Sequence, residues 1–110
     1  MHVRLRYPAA GRPTLILEND ALDVLDLSER GLRYRQEHGR EPKVGERLEG
    51  ILRLSRGETL PVRGKVVRVT HSDKPAPPGV IEVAAHLTEL GVPRRVIMAE
   101  RQAIPSAQQG

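Results

Sequence analysis

Apolar and polar residues alternate in short runs along most of this chain, and Gly, Pro and clustered polar residues interrupt them. A spacing of two is the mark of a half-buried strand. "TLIL" (Thr14–Leu17) reads as the first such strand, and "END" (Glu18–Asp20) as a tight polar turn. "ALDVLDLS" (Ala21–Ser28) follows, with Leu22, Val24 and Leu25 as its apolar content, and Ser28–Gly31 turns the chain. "LRYR" (Leu32–Arg35) alternates again, and the polar stretch Gln36–Glu46 is a loop. "RLEGILRL" (Arg47–Leu54) carries Leu48, Ile51, Leu52 and Leu54; Ser55–Glu58 closes a hairpin onto the long β-branched run Thr59–Thr70. His71–Gly79 is a proline-rich loop, and "VIEVAAHL" (Val80–Leu87) is the last strand.

Beyond Leu87 the period changes. Val92, Val96, Ile97 and Ile104 share one helix face, and Pro93 suits a first helical turn, so a helix is expected over 92–104 with a frayed tail at 105–110. At the other end, Pro8 and Pro13 exclude a helix interior, leaving residues 1–12 as an arm. Six short strands and one terminal helix predict a single all-β domain over 1–110. Its architecture is a small six-stranded antiparallel β-barrel over 13–90, closed by a C-terminal α-helix.

Composition narrows this picture. With no Phe, no Trp and only Tyr7 and Tyr34, the core must be built from Leu, Val, Ile and Ala. The 18 Lys and Arg exceed the 14 Asp and Glu. Their distribution says more than the total: Arg4, Arg6 and Arg12 all precede the first acid, Glu18, so the arm is locally cationic. Absence of cysteine excludes disulfides and thiol chemistry. The opening "MHVRLRYPAAG" has no apolar signal core, and no apolar run approaches the roughly 20 residues that span a bilayer. These features lead us to expect a cytoplasmic protein with no membrane insertion.

Two readings compete for Asp26, Ser28 and Gly31. In one they form a turn: Asp and Ser satisfy local N–H groups, and Gly31 supplies a positive φ. In the other they clamp a base, because a carboxylate accepts from the N1–H and N2–H of guanine while a hydroxyl two residues on shares its side of the strand. The arginines Arg4 and Arg6 are either solubilising charges or forks matching phosphate oxygens and the guanine O6/N7 edge.

At these residues the sequence resembles the PilZ domain, the bacterial receptor module for cyclic di-GMP. That family carries an "RxxxR" arm, then "(D/N)xSxxG", on a six-stranded barrel with a C-terminal helix. "DLSERG" (Asp26–Gly31) fits the second motif at every defined position, and "VGERLEGILRLSRGETLPVRGKVVRV" is similar to the family's central hairpin. In the arm, "RYP" (Arg6–Pro8) resembles the second arginine and its followers, which puts His2 where the first arginine stands. The resemblance implies that Arg4 and Arg6 engage phosphate and guanine, that Asp26 and Ser28 bind a guanine edge, and that Gly31 admits close backbone approach. Arg68 falls where the family often packs a residue against a guanine; an exposed strand charge explains it equally well.

Other chemistries find less support. His2, His38, His71 and His86 lack the short spacings of zinc ligands, and no nucleophile-elbow, P-loop or metalloprotease motif is present, so neither a metal nor an enzyme is expected. Single-strand nucleic acid binding by a small barrel depends on stacking aromatics, of which there are two. The expectation is a non-enzymatic receptor without a cofactor that binds cyclic di-GMP and relays the signal to a protein partner. The alternative is a PilZ-like adaptor that has lost the nucleotide and works through protein contacts.

Overall fold

The computed structural model describes residues 4–8, 11–18, 20–37, 39–71 and 80–103. Among these residues seven strands and one helix follow in order: β1 (Leu5–Arg6), β2 (Thr14–Leu17), β3 (Asp20–Ser28), β4 (Gly31–Gln36), β5 (Arg47–Arg53), β6 (Thr59–His71), β7 (Ile81–Leu90) and α1 (Arg94–Ala103). Six of the strands close a ring, β2–β5–β6–β7–β4–β3, with β3 returning to β2 and every pairing antiparallel. This is the expected six-stranded barrel.

Strict alternation explains why these segments become strands. On β7, Ile81, Val83, Ala85 and Leu87 are buried while Glu82, Ala84 and His86 face outward. On β4, Leu32, Tyr34 and Gln36 point in, between Gly31, Arg33 and Arg35. The inward residues form one core that Val92, Val96 and Ile97 of the helix region join. Each buried Leu or Val there contributes about 1.5–3 kcal/mol. The helix packs by the expected side chains, Val96 and Ile97, and the Pro93 carbonyl accepts the Val96 and Ile97 N–H groups at 3.0 and 3.2 Å.

Several boundaries differ from the sequence expectation. Part of the arm is a strand: Leu5 and Arg6 pair with Leu27 and Asp26 of β3. β6 continues through His71, and β7 runs to Leu90 because Leu90 pairs with Arg63. Between that pair and Lys65↔His86 the ladder turns a corner at Gly64, where any Cβ would overlap the His86 carbonyl. The expected loop over 72–79, the Ile104 contact and the tail 105–110 lie outside the described residues. No helix among the described residues is long and apolar enough to cross a membrane.

Candidate functional site

The site is created by two extra residues. On β3, Val24 pairs with Tyr34 and Asp26 with Arg33, so Leu25 has no partner in the ladder. Uninterrupted alternation would send Asp26 inward beside Val24. The bulge reverses that phase: Leu27 goes into the core, and Asp26 and Ser28 come out. The Leu25 carbonyl then accepts the Tyr7 N–H at 3.0 Å, which fastens the arm at the bulge. On β6, Val66↔Ala85 is followed by Arg68↔Ala84, leaving Val67 as the extra residue, 51% exposed, and placing Arg68 outside.

The registers now line up across five strands. Arg6, Asp26, Arg33, Ala84 and Arg68 are successive cross-strand partners on the outer face of the barrel, from β1 through β3, β4 and β7 to β6. Beside them runs a second row, Ser28, Gly31, His86 and Lys65. A cleft of about 250 Å³ opens between the rows, lined by Arg4, Asp26, Ser28, Gly31, Arg33 and Ala84 among others.

Asp26 is the centre of the cleft's electrostatics. Its side chain is only 4% exposed. Arg4 Nη2 donates to its Oδ2 at 3.1 Å, and Arg33 Nε lies 2.6 Å from the same oxygen, an ion pair without the alignment of a hydrogen bond. Arg33 is held from its other side by Glu82 Oε1, 2.8 Å from its Nη1. The second carboxylate oxygen, Asp26 Oδ1, is buried and accepts no hydrogen bond among the described residues. A buried acceptor that stays unpaired costs about 1–3 kcal/mol, so a donor that reaches this oxygen is favoured.

The sequence-predicted residues fall into place unevenly. Arg4, Asp26, Ser28 and Gly31 line the cleft together. Arg6 is exposed beside it and has no ion-pair partner among the described residues. Arg68 is exposed on the same face but does not line the cleft, from which Ala84 separates it. Gly31 corrects one expectation. It is a strand residue whose φ is not positive, so it does not serve the turn in that way. A Cβ there would come 3.4 Å from Ser28 Oγ and project over the cleft, so its smallness keeps the floor open. Ser28 Oγ itself donates to the Gly31 carbonyl at 3.3 Å. His2 lies outside the described residues.

Two residues escaped the sequence reading. Arg33 is one of several alternating charges in the sequence, and only the bulged register brings it to Asp26. Glu100, one helical turn beyond Val96 and Ile97, is fully buried and accepts the Tyr7 hydroxyl at 3.1 Å. Burial raises the Tyr7 phenol well above its ordinary value, and the charge of Glu100 and this hydrogen bond add to the rise. No cluster of His, Asp and Glu among the described residues is arranged to hold a metal ion.

Comparison with known proteins adds one positive finding. The family model for the PilZ domain matches residues 2–95. No curated protein and no solved structure matches the chain.

Proposed function

This chain belongs to the PilZ domain family, a family of cyclic di-GMP receptors, and from that premise we propose that its outer-face cleft binds a guanine of cyclic di-GMP. With Arg4 swung off it, the Asp26 carboxylate accepts the guanine N1–H and N2–H, and Ser28 and the backbone at Gly31 flank the base. Arg6, with Arg4, engages the phosphates, and Arg68 stacks on the part of the ligand that crosses Ala84. The observation that carries this reading is Asp26 at an arginine-lined cleft, with a carboxylate oxygen that has no hydrogen-bond partner among the described residues.

Size and entropy agree with it. At about 250 Å³ the cleft is smaller than the roughly 300–1,000 Å³ pockets that enclose a drug-sized ligand. It suits one base, and the rest of the dinucleotide lies along the row of arginines. Ordering a backbone residue costs about 1–2 kcal/mol. Leu5 and Arg6 are already paired with β3, so the ligand need not meet that cost for them. As a receptor in a bacterial cytoplasm, the protein would pass the signal to a protein partner through a change in the arm.

One observation favours the adaptor reading instead: Asp26 Oδ2 is already engaged by two arginines. Calorimetric titration separates the two. Cyclic di-GMP should bind with an affinity that falls as salt rises, and Arg6→Ala should remove most of that binding. Cyclic di-AMP, whose adenines lack the N1–H and N2–H donors, should not bind. Absence of cyclic di-GMP binding in titrations at two temperatures would favour the adaptor reading.

A further inference from the structure

Glu100 has no part in the cleft, yet it is the one acidic residue of the described helix and its exposure is 0%. Its Oε1 accepts the Tyr7 hydroxyl at 3.1 Å, the Ser55 hydroxyl at 2.9 Å and the Ser55 N–H at 3.4 Å. Its Oε2 lies 3.1 Å from Ser55 Oγ and 3.7 Å from Arg56 Nε. Burying a carboxylate is costly even when it is paired, and an apolar side chain at this position would simply extend the Val96–Ile97 stripe. The carboxylate therefore serves something other than packing. What it gathers is the arm, through Tyr7, and the β5–β6 turn, through Ser55 and Arg56.

Tyr7 directly follows Arg6. With Arg6 outside the barrel, Tyr7 turns inward, and the arm is fixed at two points on this residue. Its N–H is bound to the carbonyl of the Leu25 bulge, next to Asp26, and its hydroxyl is bound to Glu100. We infer that Tyr7 and Glu100 are positioning residues of the nucleotide site, holding Arg4 and Arg6 over Asp26 and coupling the seating of the arm to the docking of α1. The inference rests on the reading of the cleft as a cyclic di-GMP site. Coupling of this kind is reciprocal: a ligand that fastens the arm fastens the helix, and a partner that draws α1 away loosens the ligand.

The test uses the full-length protein and two conservative variants. Tyr7→Phe keeps the ring in the core and removes only the hydroxyl; Glu100→Gln keeps an acceptor and removes the charge. Hydrogen exchange by NMR without ligand is the first readout. Tyr7→Phe, which loses a hydrogen bond to a charged group, should accelerate exchange of the α1 amides by about tenfold, and Glu100→Gln, which only weakens it, should accelerate that of the Tyr7 amide severalfold. The amides of Val62 and Val83 should be unchanged. Calorimetric titration is the second readout: both variants should bind cyclic di-GMP about three- to tenfold more weakly, because less of the protein holds its arm in place. The double variant should be no weaker than the weaker single one. Wild type that binds while both variants bind equally well, with exchange altered only in the element that was mutated, overturns this inference alone. Wild type that takes up no cyclic di-GMP overturns the cleft reading, and the positioning role with it.

Discussion

Asp26→Ala separates two jobs that one carboxylate does in this structure. For the ligand, the change removes the carboxylate acceptor, and with it one or two charge-assisted hydrogen bonds of about 1.5–3 kcal/mol each. Since about 1.4 kcal/mol is a factor of ten, affinity for cyclic di-GMP should fall at least tenfold. For the fold, the change strands Arg33, whose Nε lies 2.6 Å from Asp26. Breaking a fully buried pair costs about 3–5 kcal/mol. Arg33 is 32% exposed and keeps Glu82, itself 41% exposed, so water recovers much of the loss and about 1–2 kcal/mol remains. In a domain of this length that lowers Tm by about 5–10 °C. An exposed turn carboxylate could be removed without thermal effect; this one cannot. The assay is calorimetric titration well below the melting range, normalised to the folded fraction by circular dichroism. If Tm falls as expected but affinity per folded molecule stays at the wild-type value, Asp26 only anchors the arginines and the guanine assignment is wrong.

Gly31→Ala should fold with a nearly unchanged Tm, because its φ is ordinary and the nearest atoms to a new Cβ are 3.4 and 3.5 Å away. Its affinity should nevertheless fall severalfold as the methyl narrows the cleft, and unchanged binding in titration would remove Gly31 from the site. Gly64→Ala should lower Tm by more than about 10 °C, since its methyl overlaps the His86 carbonyl and separates β6 from β7; a thermal melt checks this. Both tyrosines should resist ionisation: burial, with the charge of Glu46 second, pushes Tyr34 up to about 12, and Tyr7 is raised as well. A raised phenol favours the folded state fully below the unfolded pKa of about 10 and ceases to do so as pH climbs through about 12. Absorbance at the tyrosinate band should therefore stay flat through pH 10, and a titration centred there in the folded protein would contradict the burial of both rings.

The barrel strands were legible because their inward residues keep a spacing of two, as Ile81, Val83, Ala85 and Leu87 do. The end of β7 was not: Thr88, Glu89 and Leu90 are exposed, and it is pairing with Arg63 that extends the strand. β1 is two residues long and rests on its ladder with β3, which no local pattern reveals. That Asp26 and Ser28 share a face followed from their spacing; which face depended on Leu25. A trace of the bulge is present in the sequence, since the apolar positions pass from Leu22 and Val24 to Leu25 and Leu27. Arg33 becomes the partner of Asp26 only once that shift is counted. The signal for Glu100 was more direct. It stands three and four residues after Ile97 and Val96, where the apolar stripe should continue, and a carboxylate there marks a buried polar contact.

The unpaired Leu25 also governs how this strand can diverge over generations. Asp26 and Ser28 belong to the cleft and Val24 and Leu27 to the core, within five consecutive residues. Substitution at Asp26 or Ser28 can therefore drift toward other ligands, or toward none, while the hydrophobic interior stays as it is. Insertion or deletion has no such freedom. A further residue in regular alternation would turn Asp26 and Ser28 into the interior and expel Leu27, while losing Leu25 would straighten the strand and remove the carbonyl that fastens Tyr7. Descendants of this sequence should vary in the chemistry of these outward positions long before they vary in the number of residues between Val24 and Asp26.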